Sequence, residues 1–368
     1  MIVASFWGVL LKAWNTAWPI ALALLLFGLV VVIHEFGHFF FAKLFKVQVN
    51  EFAVGFGPAL FKKKGKETLY ALRLFPFGGY CAMEGEDEDS ESAGSFQKKR
   101  VWQRMVIVAA GAVNNLLLGL ILVGIMLSIQ GQFYTTQIYG FVKDASSYQS
   151  GLRPGDIVQS VDGRRVFCSS DLSYMMMVSK DNALEMVVER KGETVKLNDV
   201  QFAMQEIDGK NYIQADFAVI PKGMTFKKPF SFLKSTVMQS FSVARIVWMS
   251  LIDLISGRLG MNELMGPVGV VSTVSETVSE AVSKESNVGM DMVCYIMALI
   301  TINLGIVNLM PLPALDGGRL VFLLYELIFR KPVPQKYEGW IHGAGLALLL
   351  LLILVITGND IIRLIRGG

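Results

Sequence analysis

Four runs of about 20 mostly apolar residues constrain this chain more than anything else in it: Trp18 to Leu44, Met105 to Ile129, Met290 to Met310, and Ile341 to Thr357. Each is long enough to cross a bilayer as a helix, the form in which a single segment satisfies its own backbone hydrogen bonds away from water. Composition agrees: 53% of the 368 residues are hydrophobic and 18% charged, too apolar for a water-soluble enzyme of this length. A fifth stretch, Phe230 to Ile255, mixes Lys234, Arg245 and Asp253 with its apolar residues, the pattern of a helix lying on a membrane surface. The net charge of +3 gives no sign of a nucleic-acid partner, so the basic residues are read for orientation.

The loop from Lys43 to Arg104 is rich in Lys and Arg, with clusters at Lys62-Lys63-Lys64 and Lys98-Lys99-Arg100, and the positive-inside rule makes it cytoplasmic. Arg319, Arg330, Lys331 and Lys336 mark a second basic loop between the third and fourth runs. Both loops share one side if an even number of spans separates them, which four spans satisfy with both termini outside. The acidic run from Glu84 to Glu91 reads as a solvated loop. Cys81, Cys168 and Cys294 are odd in number and lack metal-ligand spacing, so they define neither disulfides nor a metal site. The first apolar run has no small-residue cleavage site after it and is expected to stay in the mature protein.

Between the first two spans, Thr68 to Met83 reads as two short strands around Pro76 and Gly78-Gly79, a hairpin at the cytoplasmic membrane surface with an edge open to another strand. From Ile138 to Pro221 short β-like runs alternate with turn signals such as Arg153-Pro154-Gly155-Asp156 and Asp162-Gly163-Arg164. The expected fold is an α-helical polytopic membrane protein of about four spans, with this hairpin and an inserted extracytoplasmic α+β domain. Its expected parts are a membrane core over 1–137, the inserted domain over 138–221, an amphipathic surface region over 222–289 and a second membrane core over 290–368.

The chemistry is concentrated in His34-Glu35-Phe36-Gly37-His38, an H-E-x-x-H sequence at the end of the first span. Four residues apart on a helix, the two imidazoles face one way and can bind one Zn²⁺, with Glu35 beside them as a general base. Zinc lowers the pKa of water towards about 7, and a carboxylate that takes the proton completes the minimum for peptide hydrolysis. Ionisable residues at membrane depth are costly, which favours a functional role over two satisfied structural histidines. A catalytic zinc takes three protein ligands, and Asp316 is the candidate third. It follows the third span in Asn308-Leu-Met-Pro-Leu-Pro-Ala-Leu-Asp316-Gly-Gly, where Pro311, Pro313, Gly317 and Gly318 are expected to break the helix around a wet cavity. The Asn308 amide suits either an extended substrate backbone and its oxyanion or a bond between helices. The remaining histidine, His342, reads as an interfacial residue at the start of the fourth span. A transporter or a silent membrane scaffold are the rival readings of such residues.

The pairing of HEFGH with NLMPLPALDGG resembles the site-2 proteases, in particular their bacterial sigma-factor-regulating branch. Phe56-Gly57-Pro58, Phe77-Gly78-Gly79-Tyr80, Gly111 with Asn115, and Gly266-Pro267-Val268 extend the likeness over almost the whole chain. The resemblance implies an intramembrane zinc metalloprotease with zinc on His34, His38 and Asp316, Glu35 as base, Asn308 touching substrate, and a hairpin that pairs with an unwound substrate segment. It also implies a bacterial cytoplasmic membrane and single-pass membrane-protein substrates such as anti-sigma factors or signal-peptide remnants. Ser150 to Val166 (SGLRPGDIVQSVDGRRV) resembles a PDZ domain, present here in one copy and expected outside the cell. It is expected to filter substrates by the bulk of their outer part.

Overall fold

The computed structural model describes residues 2–86, 90–207, 210–223, 228–260, 264–283 and 287–366. In chain order it contains α1 (Ile2–Leu44), β1 (Val49–Lys64), β2 (Leu69–Met83), α2 (Val101–Gln130), β3 (Gln132–Phe141), α3 (Ser146–Gln149), β4 (Ile157–Val161), β5 (Arg164–Arg165) and α4 (Ser169–Val178). There follow β6 (Ala183–Arg190), β7 (Glu193–Gln201), β8 (Ala203–Ile207), β9 (Lys210–Gln214), β10 (Phe217–Gly223) and α5 (Pro229–Ile255). The chain ends in α6 (Pro267–Ser283), α7 (Asn287–Leu309), α8 (Asp316–Phe329) and α9 (Gln335–Arg366). Two compact units result, one of Met1–Leu122 with Asn262–Gly368 and one of Val123–Met261. The region expected over 222–289 is thus divided, α5 falling in the second unit and α6 in the first. Part of the acidic run, residues 87–89, lies outside the described residues.

Among the described residues five helices are long and apolar enough to cross a membrane: Ala17–Leu44, Val101–Gln130, Pro229–Ile255, Gly289–Leu309 and Gln335–Arg363. Large apolar side chains stay exposed along α9, among them Leu348, Leu351 and Leu354, a surface that suits lipid and not water. The chain is a polytopic membrane protein that also carries β-sheets.

In the first unit the helices approach through small residues. A Cβ on Gly37 of α1 would stand 2.4 Å from the Ala110 carbonyl oxygen of α2, and one on Gly305 of α7 would stand 3.0 Å from that of Ala112. The hairpin differs from the expected one. Residues 51–54 of β1 pair with 69–72 of β2 on one side and with 79–82 on the other, while 61–64 pair with 69–72. The two limbs of Thr68 to Met83 therefore flank β1 and do not pair with each other. The physical reason is that β1 has its own strand-forming residues and bends through Gly55 (φ +84°) and Gly57 (φ +87°), so that its residues 51–54 enter between the limbs while its residues 61–64 lie outside 69–72. The limb of residues 79–83 is left at one edge.

The second unit is built on a sheet of order β10-β3-β4-β6-β7, with β5 beside β4 and a separate β8-β9 ribbon. Its core buries Ile138, Leu152, Val158, Leu184, Met186 and Val188. The turn signals are where the sequence placed them: Gly155 has φ +92°, and Asp162 and Gly163 both have positive φ between β4 and β5. Helix α5 is tied to this unit by buried polar groups. Arg164 donates to both oxygens of the fully buried Asp253 at 2.7 and 2.5 Å, Tyr174 donates to the same carboxylate at 3.0 Å, and Ser242 donates to Asp171 at 2.7 Å.

Candidate metal centre

His34 and His38 lie near the C-terminal end of α1 and are 6% and 8% exposed. Their Nε2 atoms are 3.2 Å apart, and Asp316 Oδ2 lies 3.2 Å from that of His34 and 3.4 Å from that of His38. Ligands about 2.0 Å from a tetrahedral zinc stand about 3.3 Å from one another. All three separations match. Asp316 Oδ2 is buried without a hydrogen bond and stands against both rings. Among the described residues this is the group of His, Cys, Asp and Glu side chains whose donor atoms converge as metal ligands do. Two nitrogens and one carboxylate oxygen are donors of the kind catalytic zinc takes, and the residues present fit that ion.

Groups on α2 orient the rings. His38 Nδ1 donates to the Ile107 carbonyl at 2.9 Å, which leaves the Nε2 lone pair for a metal. His34 Nδ1 is 3.3 Å from the amide of Asn115, a fully buried residue whose Oδ1 has no hydrogen bond. Rotating that amide by half a turn lets Oδ1 accept the His34 Nδ1 proton, which satisfies both groups and frees His34 Nε2. Gly111 supplies the space: a Cβ there would stand 2.3 Å from His38 Nε2 and 2.8 Å from His34 Nε2.

Asp316 opens α8 after the loop 310–315. The loop breaks the helix as the prolines require, but Gly317 and Gly318 are not part of the break. They lie in the first turn of α8, where their missing Cβ atoms admit the carbonyl oxygens of Met310 and Leu312. Asn308, in the last turn of α7, has Nδ2 3.3 Å from His34 Nε2. Glu35, next to His34 on α1, also lies against the hairpin: a Cβ on Gly79 would stand 3.5 Å from its Cγ. Next to Asp316 opens a cavity of about 370 Å³, lined in part by Glu86, Arg319 and His342. His342 is not simply interfacial, since its Nδ1 accepts the Ala314 N–H at 2.9 Å.

Every residue singled out in the sequence as a site residue therefore gathers in one place, Glu35 on the hairpin side of it. Sequence reasoning missed the Ile107 carbonyl, which carries no side-chain signal, and the steric roles of Gly37 and Gly111. It gave no sign of the bond between His342 and Ala314, because the two lie 28 residues apart in the chain.

An H-E-x-x-H helix with a carboxylate brought to its histidines, set among helices able to cross a bilayer, defines the class: a membrane-embedded metallohydrolase. The family model for peptidase family M50 matches residues 22–352, and the chain belongs to that family. FN1322 of Fusobacterium nucleatum is 33% identical over 353 residues, covering 93% of this chain and 98% of its own length. The regulator of sigma-W protease RasP of Bacillus subtilis is 27% identical over 93% of this chain and 97% of its own length. The zinc metalloprotease RasP of Bacillus licheniformis is 27% identical over 93% and 98%. This protein is an intramembrane zinc metalloprotease, and its substrates are membrane proteins.

Proposed function

We propose that His34, His38 and Asp316 hold the catalytic zinc, that Glu35 moves the proton, and that Asn308 binds the substrate at the reacting carbonyl. The observation that carries this is the mutual spacing of 3.2 to 3.4 Å among three donor atoms drawn from two distant parts of the chain. When bound there, zinc supplies a Lewis acid that polarises the scissile carbonyl and makes water acidic enough to act at neutral pH. Glu35 takes a proton from the attacking water as the new C–O bond forms. It returns that proton to the amide nitrogen as the C–N bond breaks. The Asn308 amide N–H donates to the oxygen on which negative charge develops.

A helical substrate hides its carbonyls in its own hydrogen bonds, so it must unwind before it can react. The edge limb of residues 79–83, alongside Glu35, suits pairing with an extended segment by strand addition. The proposed topology has four spans, with the hairpin and the 330–336 loop both cytoplasmic. Helix α5 is assigned to the extracytoplasmic domain, because its polar face is bonded to that unit through Asp253, Ser242 and Gln239. We read that domain as a single PDZ domain acting as a size filter, inserted in the chain between the second and third spans. The substrates are single-pass proteins of a bacterial cytoplasmic membrane, of the anti-sigma-factor or signal-peptide-remnant kind. The Bacillus subtilis relative is named a regulator of sigma-W, a role that fits the former.

The test is a pair of variants in purified full-length protein, which should carry about one zinc per chain. Asp316→Ala should lose zinc and cleavage together. Glu35→Gln should keep zinc while cleavage falls by about 10²-fold or more. Full activity in Asp316→Ala would overturn the ligand assignment.

A further inference from the structure

We propose that His342 is a positioning residue of the metal centre: its Nδ1 holds the Ala314 N–H and thereby sets Asp316 against His34 and His38. The inference rests on reading Asp316 as a zinc ligand and goes beyond it by assigning α9 a part in the site.

Six residues, 310–315, join α7 to α8, and their backbone is held mostly from within. Met310 donates to Val307, Leu312 to Met310 and Leu315 to Leu312, at 3.0, 2.7 and 3.3 Å, while Pro311 and Pro313 have no N–H to give. Ala314 is different. Its φ is +69°, a left-handed conformation that a non-glycine residue keeps only where its surroundings enforce it, and its N–H turns out of the loop to His342 at 2.9 Å. Two residues later comes the Asp316 carboxylate. An error in the backbone at Ala314 passes directly to the ligand, because nothing longer than Leu315 separates them.

Helix α9 is shaped for this contact. His342 and Gly345 are three residues apart and share a face of the helix. A Cβ on Gly345 would stand 2.2 Å from Pro313 Cβ, so the helix and the loop are in direct backbone-level contact. A Cβ on Gly318 would stand 3.3 Å from His342 Cε1, so α8 also makes room for the ring. Phe322 packs on that ring with centroids 5.6 Å apart. On the far side, Glu338 Oε1 is 3.9 Å from His342 Nε2. A nitrogen that accepts carries the lone pair, so the proton of the neutral ring is on Nε2, facing Glu338. The third histidine of the chain thus supports a ligand without being one.

The experiment measures zinc affinity of the full-length protein by competition with a chelator, beside cleavage, for three variants. His342→Leu removes the acceptor and should weaken zinc binding by about 10- to 100-fold, the effect typical of losing an outer support of a ligand. His342→Asn can place its Oδ1 where Nδ1 stands and should restore most of that affinity. Asp316→Ala controls for the reading beneath: if it keeps zinc, the ligand assignment fails. If Asp316→Ala loses zinc while His342→Leu keeps native affinity, the positioning role alone is overturned. An Asn variant as poor as the Leu variant would overturn it too. Zinc-stripped His342→Leu should keep the helix content of zinc-stripped native protein by circular dichroism; a general loss of helix there would mark a packing role for the whole core and reject the proposal.

Discussion

Gly111 shows how much of the proposed metal site rests on a side chain that is absent. Two imidazole nitrogens 3.2 Å apart can stay that close to the α2 backbone only because residue 111 has no Cβ. Gly111→Ala would put a methyl group where a zinc would need both lone pairs. The rings cannot simply swing away, since His38 is anchored to the Ile107 carbonyl and His34 to Asn115. Zinc content of purified Gly111→Ala should therefore fall to near zero, with the helices still formed by circular dichroism. Native zinc content would show that α1 and α2 do not meet as described.

At the scale of elements, the hairpin must keep its shape beside Glu35 while its edge stays open. Glu51 on β1 and Arg73 on β2 are 2.6 Å apart, with the Tyr80 hydroxyl 2.5 Å from the same guanidinium. Burial alone would raise the Glu51 pKa, but the hydrogen bonds from Arg73 and Tyr80 outweigh it and hold the carboxyl below its ordinary value. The same grouping raises the Tyr80 pKa, through burial first and then the hydrogen bond to Glu51. A carboxyl with a lowered folded pKa stabilises the hairpin fully above its unfolded value near 4.5, and that contribution is lost as pH falls through the lower folded value. Protection factors of the β1 and β2 amides, which normalise exchange to the intrinsic rate at each pH, should thus hold through weakly acidic pH and fall only below it. Glu51→Gln should remove that acid-side dependence. Unchanged exchange behaviour in the variant would show that the ion pair does not hold the hairpin.

For the whole molecule, the number of the five apolar helices that cross the membrane decides whether the hairpin and the 330–336 loop share a side. In a cysteine-free background, single cysteines at Lys63 and Lys331 should react with an impermeant reagent only after the cytoplasmic face is opened. One at Glu193, exposed on β7, should react from outside in intact cells. Arg164 is the wrong probe position, since its guanidinium is bonded to Asp253. Labelling of Lys331→Cys from outside would mean that α5 spans, and the four-span arrangement would fall.

The membrane class, the position of the H-E-x-x-H helix and the choice of Asp316 as the carboxylate to look for beside it were all legible in the sequence, and the structure does bring Asp316 to the two histidines. Each rests on a local signal: a hydrophobic length, an i, i+4 spacing, or a charged residue in a run broken by prolines. The strand domain was legible through its turns for the same reason, because Gly and Asp at positive φ are dictated within three or four residues. Other features depend on partners far away in the chain, and sequence order carries no record of them. The strand order of the hairpin sheet is set by residues 51–54 of β1 entering between the two limbs of β2. The tautomers of His34 and His38 are set by a carbonyl and an amide of α2 some 70 to 80 residues on. The place of His342 beside Ala314 is set by α9 packing on the loop. A metal ligand can be recognised by its own chemistry, but what orients it is decided only when the chain closes around it, because a hydrogen bond or a missing Cβ acts through distances that exist only in the folded protein.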